Sequence, residues 1–186
     1  KSSVNYTALS QIPAYSRGTG TPAPTPGAVS VSLAPNTPSA ATTTKNAQGV
    51  EFLRARFTGT GTIASMTMKR LGAGDVNDFD NVYLYDGARR LTSGKSLSSS
   101  TGEVTFSNLN LSVSGSRDLS VVADLSATAG NVNYMQVTAV TLSSGTVSGV
   151  PISGNNLTVS GSNSGTITMD KVGSIPNPTV GQQGAL

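Results

Sequence analysis

The chain has 186 residues, enough for one domain with a substantial core plus extensions or for two small domains. Charged residues make up only 11%, the net charge is +3, and Cys, His and Trp are all missing. That composition excludes a disulfide framework, His or Cys zinc sites, and Ser-His-Asp or Cys-His catalysis.

The pI is near 9.4, yet the twelve basic residues are dispersed, with Lys69-Arg70 and Arg89-Arg90 the only adjacent pairs. Nucleic acid needs a basic stripe or cluster, and none is present. No apolar run approaches the ~20 residues of a membrane helix, so no membrane insertion is expected. Lys1 leads into "SSVNYTALSQIP", which has no signal-peptide core. A low-charge surface of Ser, Thr and Gly predicts a secreted or cell-surface chain whose signal has been removed.

In chain order, residues 1–26 show no sustained period. "RGTGTPAPTPG" predicts an extended, polyproline-like spacer, and Tyr6, Leu9, Ile12 and Tyr15 before it are scattered apolar groups suited to docking on a neighbour. From residue 27 the strand signals come quickly. "AVSVSL" alternates with period two. In "VEFLRARF", Leu53, Ala55 and Phe57 fall on one face, while Phe52 shares the face of Arg54 and Arg56. "TIASMTMKRL" sets Met66 and Met68 opposite Thr67 and Lys69.

"NVYLYDG" sets Val82 and Leu84 against Tyr83 and Tyr85 and turns at Asp86-Gly87. "EVTFSNL", "NLNLSVSG", "DLSVVADL", "VNYMQVTAVTL", "NNLTVSG" and "TITMD" complete about ten short strands, with turns every 8–12 residues or so. No window has helical periodicity. The pattern predicts an all-β chain: an immunoglobulin-like two-sheet β-sandwich over 27–164, with an extended N-terminal arm and a C-terminal strand. A closed barrel is the alternative.

Residues 165–186 read like a second copy of the start of the sandwich. Gly, an alternating strand (Ile167, Met169), a Pro-bearing turn and Gln-Gly follow in the order seen after Gly27.

Few constellations carry chemistry. Nine acids stand mostly singly beside turns, so no carboxylate pair suggests glycoside hydrolysis, and no enzyme is expected. Gly94-Lys95-Ser96 resembles the tail of a phosphate-binding loop, but Arg89 stands where that motif needs Gly. The dense acidic stretch "GAGDVNDFDNVYLYDG" places Asp75, Asp78 and Asp80 as candidate calcium ligands, the one cofactor in view. The competing reading is a loop of Asx turns that caps the following strand. Asn5, Asn110 and Asn156 open glycosylation sequons.

The stretches "VSLAPNTP", "DFDNVYLYDGARRLTSG" and "VTFSNLNLSVSG" followed by "DLSVVADLS" carry a resemblance over about residues 28–160. They resemble the immunoglobulin-like repeat domains of large secreted and surface-layer proteins of uncultivated bacteria of the candidate phyla radiation type. The resemblance implies an extracellular structural role without catalysis, and domains that run in tandem.

The expected function is a structural subunit that polymerises head to tail with copies of itself into a filament, sheath or surface layer. Strand exchange would join the copies, with Ile167 and Met169 entering a neighbour and the arm docking in the other direction. The alternative is an adhesin or carbohydrate-binding module with a glycan partner, for which Tyr83 and Tyr85 are the best-placed pair among Tyr6, Tyr15, Tyr83, Tyr85 and Tyr134.

Overall fold

The structure, a computed structural model, describes residues 27–161. Its strands are β1 (Gly27–Leu33), β2 (Ala41–Thr44), β3 (Val50–Leu71), β4 (Phe79–Asp86), β5 (Arg89–Arg90) and β6 (Glu103–Phe106). They continue with β7 (Leu111–Leu125), β8 (Val132–Leu142), β9 (Gly145–Ser148), β10 (Ile152–Ser153) and β11 (Leu157–Ser160). A 3-10 turn at Val76–Asp78 is the sole helical element among the described residues.

The fold is an immunoglobulin-like β-sandwich whose two layers share one long strand. Val50–Ile63 of β3 pairs with β7, and β1 pairs with Ala55–Thr60 on its other side. The remainder of β3 pairs with β6 and β8. One layer therefore runs β9, β1, β3, β7, β4, β5, and the other runs β6, β3, β8, β11, β2, with β10 also on β8. The sequence predicts one strand on each side of "TGTGT" and one on each side of "SGSRD". The structure instead makes β3 and β7 continuous, with Gly59 and Gly115 directly opposite each other at φ of 131° and 88°. Those glycines bend paired strands rather than ending them.

Period-two alternation builds the core. Leu53, Ala55 and Phe57 of β3 face Leu119 and Val121 of β7 and Val82 and Leu84 of β4, all fully buried. Met66 and Met68 lie beside Phe106 and Val104, their cross-strand partners. Each large side chain buried in this way contributes about 1.5–3 kcal/mol. Phe52 corrects the sequence reading. The register shifts between Glu51 and Leu53, so Phe52 is the extra residue of a β-bulge and joins Leu53 inside. Its ring packs on Phe79, 5.1 Å between centroids.

The first and last ribbons of the sandwich run parallel. Gly27 to Ser30 of β1 lie beside Gly145 to Ser148 of β9, and Ala41 to Thr44 of β2 lie beside Leu157 to Ser160 of β11. Between β1 and β2, the Thr37 hydroxyl donates to the Arg54 carbonyl (2.7 Å) and accepts from the Arg54 N–H (3.1 Å). The Asn155 side-chain amide donates to the Pro38 carbonyl (2.7 Å). Gly27 therefore lies at the glycine bend, beside Thr60, while β11 ends at the other pole beside Thr44. There the chain beyond β2 accepts from the N–H groups of Leu125 and Ala127. The chain comes into the core at one pole and leaves it at the other.

Candidate binding surfaces

The acidic loop is built around Asp78. Asp75 caps the 3-10 turn, its carboxylate accepting from the Asn77 backbone N–H (2.9 Å) and side-chain amide (2.7 Å). Asp78 returns the contact by accepting from the Asp75 N–H (3.0 Å), which closes a capping box. Asp78 is itself only 2% exposed. It accepts further bonds from the side chains of Asn131 (2.9 Å to each oxygen) and Asn133 (2.8 Å) and from the Thr128 N–H (3.2 Å). Arg70 orients Asn133 by donating to its carbonyl oxygen (2.7 Å).

Burial pushes the Asp78 pKa up, but the donors from Asp75, Asn133, Asn131 and Thr128 outweigh it and hold the carboxyl below its ordinary value. Asp80 is exposed at the start of β4. The three acids are not drawn together, and no cluster of three or more His, Cys, Asp or Glu placed to hold a metal occurs among the described residues. Two of them tie the loop down.

Tyr83 and Tyr85 lie on the outward face of β4, as the alternation predicts. Their rings meet edge to face at 6.4 Å and 76°. Arg90 stands 5.2 Å over the Tyr83 ring, and the Tyr83 hydroxyl donates to Asp124 (2.7 Å). That bond to Asp124 raises the Tyr83 pKa. Alongside, Arg54 forms two bonds to Glu51 (2.9 and 2.8 Å), and Arg56 forms two to Asp118 (2.8 Å each). The Arg56 guanidinium lowers the Asp118 pKa. Two shallow hollows of about 350 and 260 Å³ indent this face. Its groups mostly satisfy one another, and Arg90 already covers the ring that a sugar would stack on.

A cavity of about 650 Å³ opens between the layers on the β5–β6 side. One wall is the segment after β5, which runs back along β4: Leu91 N–H donates to Leu84 (2.8 Å), and Val82 and Lys95 exchange backbone bonds (2.8 and 3.1 Å). Gly94-Lys95-Ser96 is thus extended chain, not a phosphate loop opening a helix. The other wall is the link from β6 to β7, held by the Leu109 N–H on the Ala64 carbonyl (3.0 Å). In that wall Asn108 and Asn110 adopt φ of 57° and 48°.

Arg89, Lys95 and Arg117 line the cleft, and no acid does. Arg117 donates to Asp86 (2.8 Å) and to the Ser112 carbonyl (2.7 Å), while its Nε–H is buried and unpaired. Sequence reasoning missed this site because its residues come from three separated segments. Its one hint, the pair Arg89-Arg90, divides between two faces.

Ile167, Met169, Tyr6, Leu9, Ile12 and Tyr15, the expected self-assembly residues, lie outside the described residues, as does the predicted strand "TITMD". Leu33, 39% exposed, is the one large hydrophobic side chain left open among the described residues. Among the described residues, β2 pairs with β11 alone and β9 with β1 alone. No helix among the described residues is long and apolar enough to cross a membrane.

No protein-family model matches the sequence, and no curated protein matches it. Among solved structures, the chain is similar to the seventh ScaB type I cohesin from Pseudobacteroides cellulosolvens. The identity is 13% and the TM-score 0.32, over 78% of this chain and 98% of that one. It is also similar to a chain of the CaDoc0917–CaCohA2 complex, with 13% identity and a TM-score of 0.29 over 72% and 99%. Likenesses this distant say nothing of partners.

Proposed function

We propose that the chain is a non-catalytic, extracellular structural module that joins copies of itself head to tail. The observation that supports this best is the parallel course of the first and last ribbons, which places Gly27 and Ser160 at opposite poles. A unit that meets its predecessor at one end and its successor at the other extends into a line. The composition agrees. A chain without His or Cys lacks the commonest general base and the thiolate nucleophile, and a low-charge surface rich in Ser and Thr suits a solvated scaffold.

The finer step is strand addition by residues 165–186. The added strand pairs along the outer side of β2 or β9, which among the described residues are the last strands of their layers, and Ile167 and Met169 cover apolar surface beside it.

Electron microscopy and light scattering of three proteins test this: the full chain, a version ending at Ser164, and the full chain carrying Ile167→Asp and Met169→Asp. The full chain should form fibres or a ladder of oligomers, and the other two should stay monomeric. A full chain that remains monomeric at high concentration excludes self-assembly. Fibres from all three would leave the head-to-tail reading standing and exclude the tail as its donor.

A further inference from the structure

We propose that the cleft between residues 89–95 and the β6–β7 link binds an anionic oligosaccharide, through carboxylate or sulfate groups on its sugars. The site does not depend on whether the chain polymerises. Its volume of about 650 Å³ falls in the range of small-ligand sites. Arg89 and Lys95 reach it without an ion-pair partner among the described residues, Arg117 reaches it paired with Asp86, and no acid lines it, which favours negative charge. Arg89 is fully available: it is exposed, and none of its side-chain atoms meets a partner among the described residues. Lys95 is pre-positioned, donating to the Thr105 carbonyl (2.9 Å) over the Phe106 ring. Arg117 is fixed at the base by Asp86 and Ser112.

The neutral part of the wall decides the class of ligand. Thr92, Ser93, Ser107, Asn108, Asn110 and Ser112 offer hydroxyl and amide groups that both donate and accept, as sugar hydroxyls require. A nucleic-acid strand would need exposed rings for its bases. The only aromatic here, Phe106, is 2% exposed and lies under Lys95. An acidic peptide adding as a strand would need the outer edge of β6, where Thr105 accepts from Lys95 and Glu103 accepts from the Ser98 N–H.

The test titrates the full chain with trigalacturonate, a heparin-derived sulfated disaccharide, neutral maltotriose and pentaglutamate, following backbone amides by NMR. At low salt one or both anionic probes should shift Asn108, Asn110 and Ser112. Maltotriose should not, and raising the salt should weaken binding. Arg89→Glu, at an exposed position, should weaken binding about tenfold or more. Lys95→Gln should weaken it less, and Lys45→Glu, outside the cleft, should leave it unchanged. The proposal is overturned by no binding at millimolar probe, by shifts confined to the Tyr83–Tyr85 face, or by equal binding of maltotriose or pentaglutamate. It also fails if Arg89→Glu and Lys45→Glu weaken binding alike.

Discussion

Asp78 is a carboxylate held in place by amides, and what it does follows from how many there are. Its two oxygens accept from Asp75, Thr128, Asn131 and Asn133. A carboxyl whose folded pKa is depressed adds stability that is complete above the unfolded value, 3.8, and is lost as pH falls through the lower folded value. Asp118, depressed by Arg56, acts in the same direction. The melting temperature should therefore be flat near neutral pH and fall from about pH 4 downward. Asp78→Asn turns one acceptor atom into a donor that faces other donors, and should cost about 2–3 kcal/mol at neutral pH in urea titrations. The variant should also show a shallower acid limb. An unchanged midpoint would mean that the loop is held by other contacts. The acidic spacing in the sequence fits calcium and Asx capping equally well. Neither reading foresees the approach of Asn131 and Asn133 from over 50 residues away, which no local pattern encodes.

At the scale of elements, alternation carries most of the information. Val82 and Leu84 inside with Tyr83 and Tyr85 outside, and Met66 and Met68 inside with Thr67 outside, all follow from side-chain period alone. Two features do not. Phe52 keeps the arginines' phase in the sequence, and only the bulge in the β3–β7 pairing turns it inward. The glycines of "TGTGT" and "SGSRD" read as turns because a single chain cannot reveal that Gly59 and Gly115 will be cross-strand partners. The short β2, β9 and β10 have weak patterns of their own and exist through the strands they join. Gly59 has a φ of 131°, and a Cβ there would strike the Ala28 carbonyl. Gly59→Ala should cost about 1–3 kcal/mol in backbone strain. Hydrogen exchange should show the lost protection in β1, its neighbour, more than in β4. Uniform loss across the sandwich would count against a local bend.

For the whole molecule, the two parallel pairs set how the fold meets tension. If the flanking segments are pulled apart, β1 slides along β9 while β2 slides along β11. Force along parallel strands loads the bonds of a ladder together, whereas force at a hairpin end opens them one at a time. The first geometry resists because several bonds, each worth about 0.5–1.5 kcal/mol net, must fail in one step. The chain has no native Cys, so single cysteines can define the pulling points. In single-molecule force spectroscopy, handles at residues 27 and 161 should give unfolding forces well above those from handles at Ala88 and Ser100, which peel the β4–β5 edge. Similar forces in the two directions would mean that the terminal ribbons carry no load. In that case opposite poles would still permit a linear array, but the fold would not be built to keep it taut.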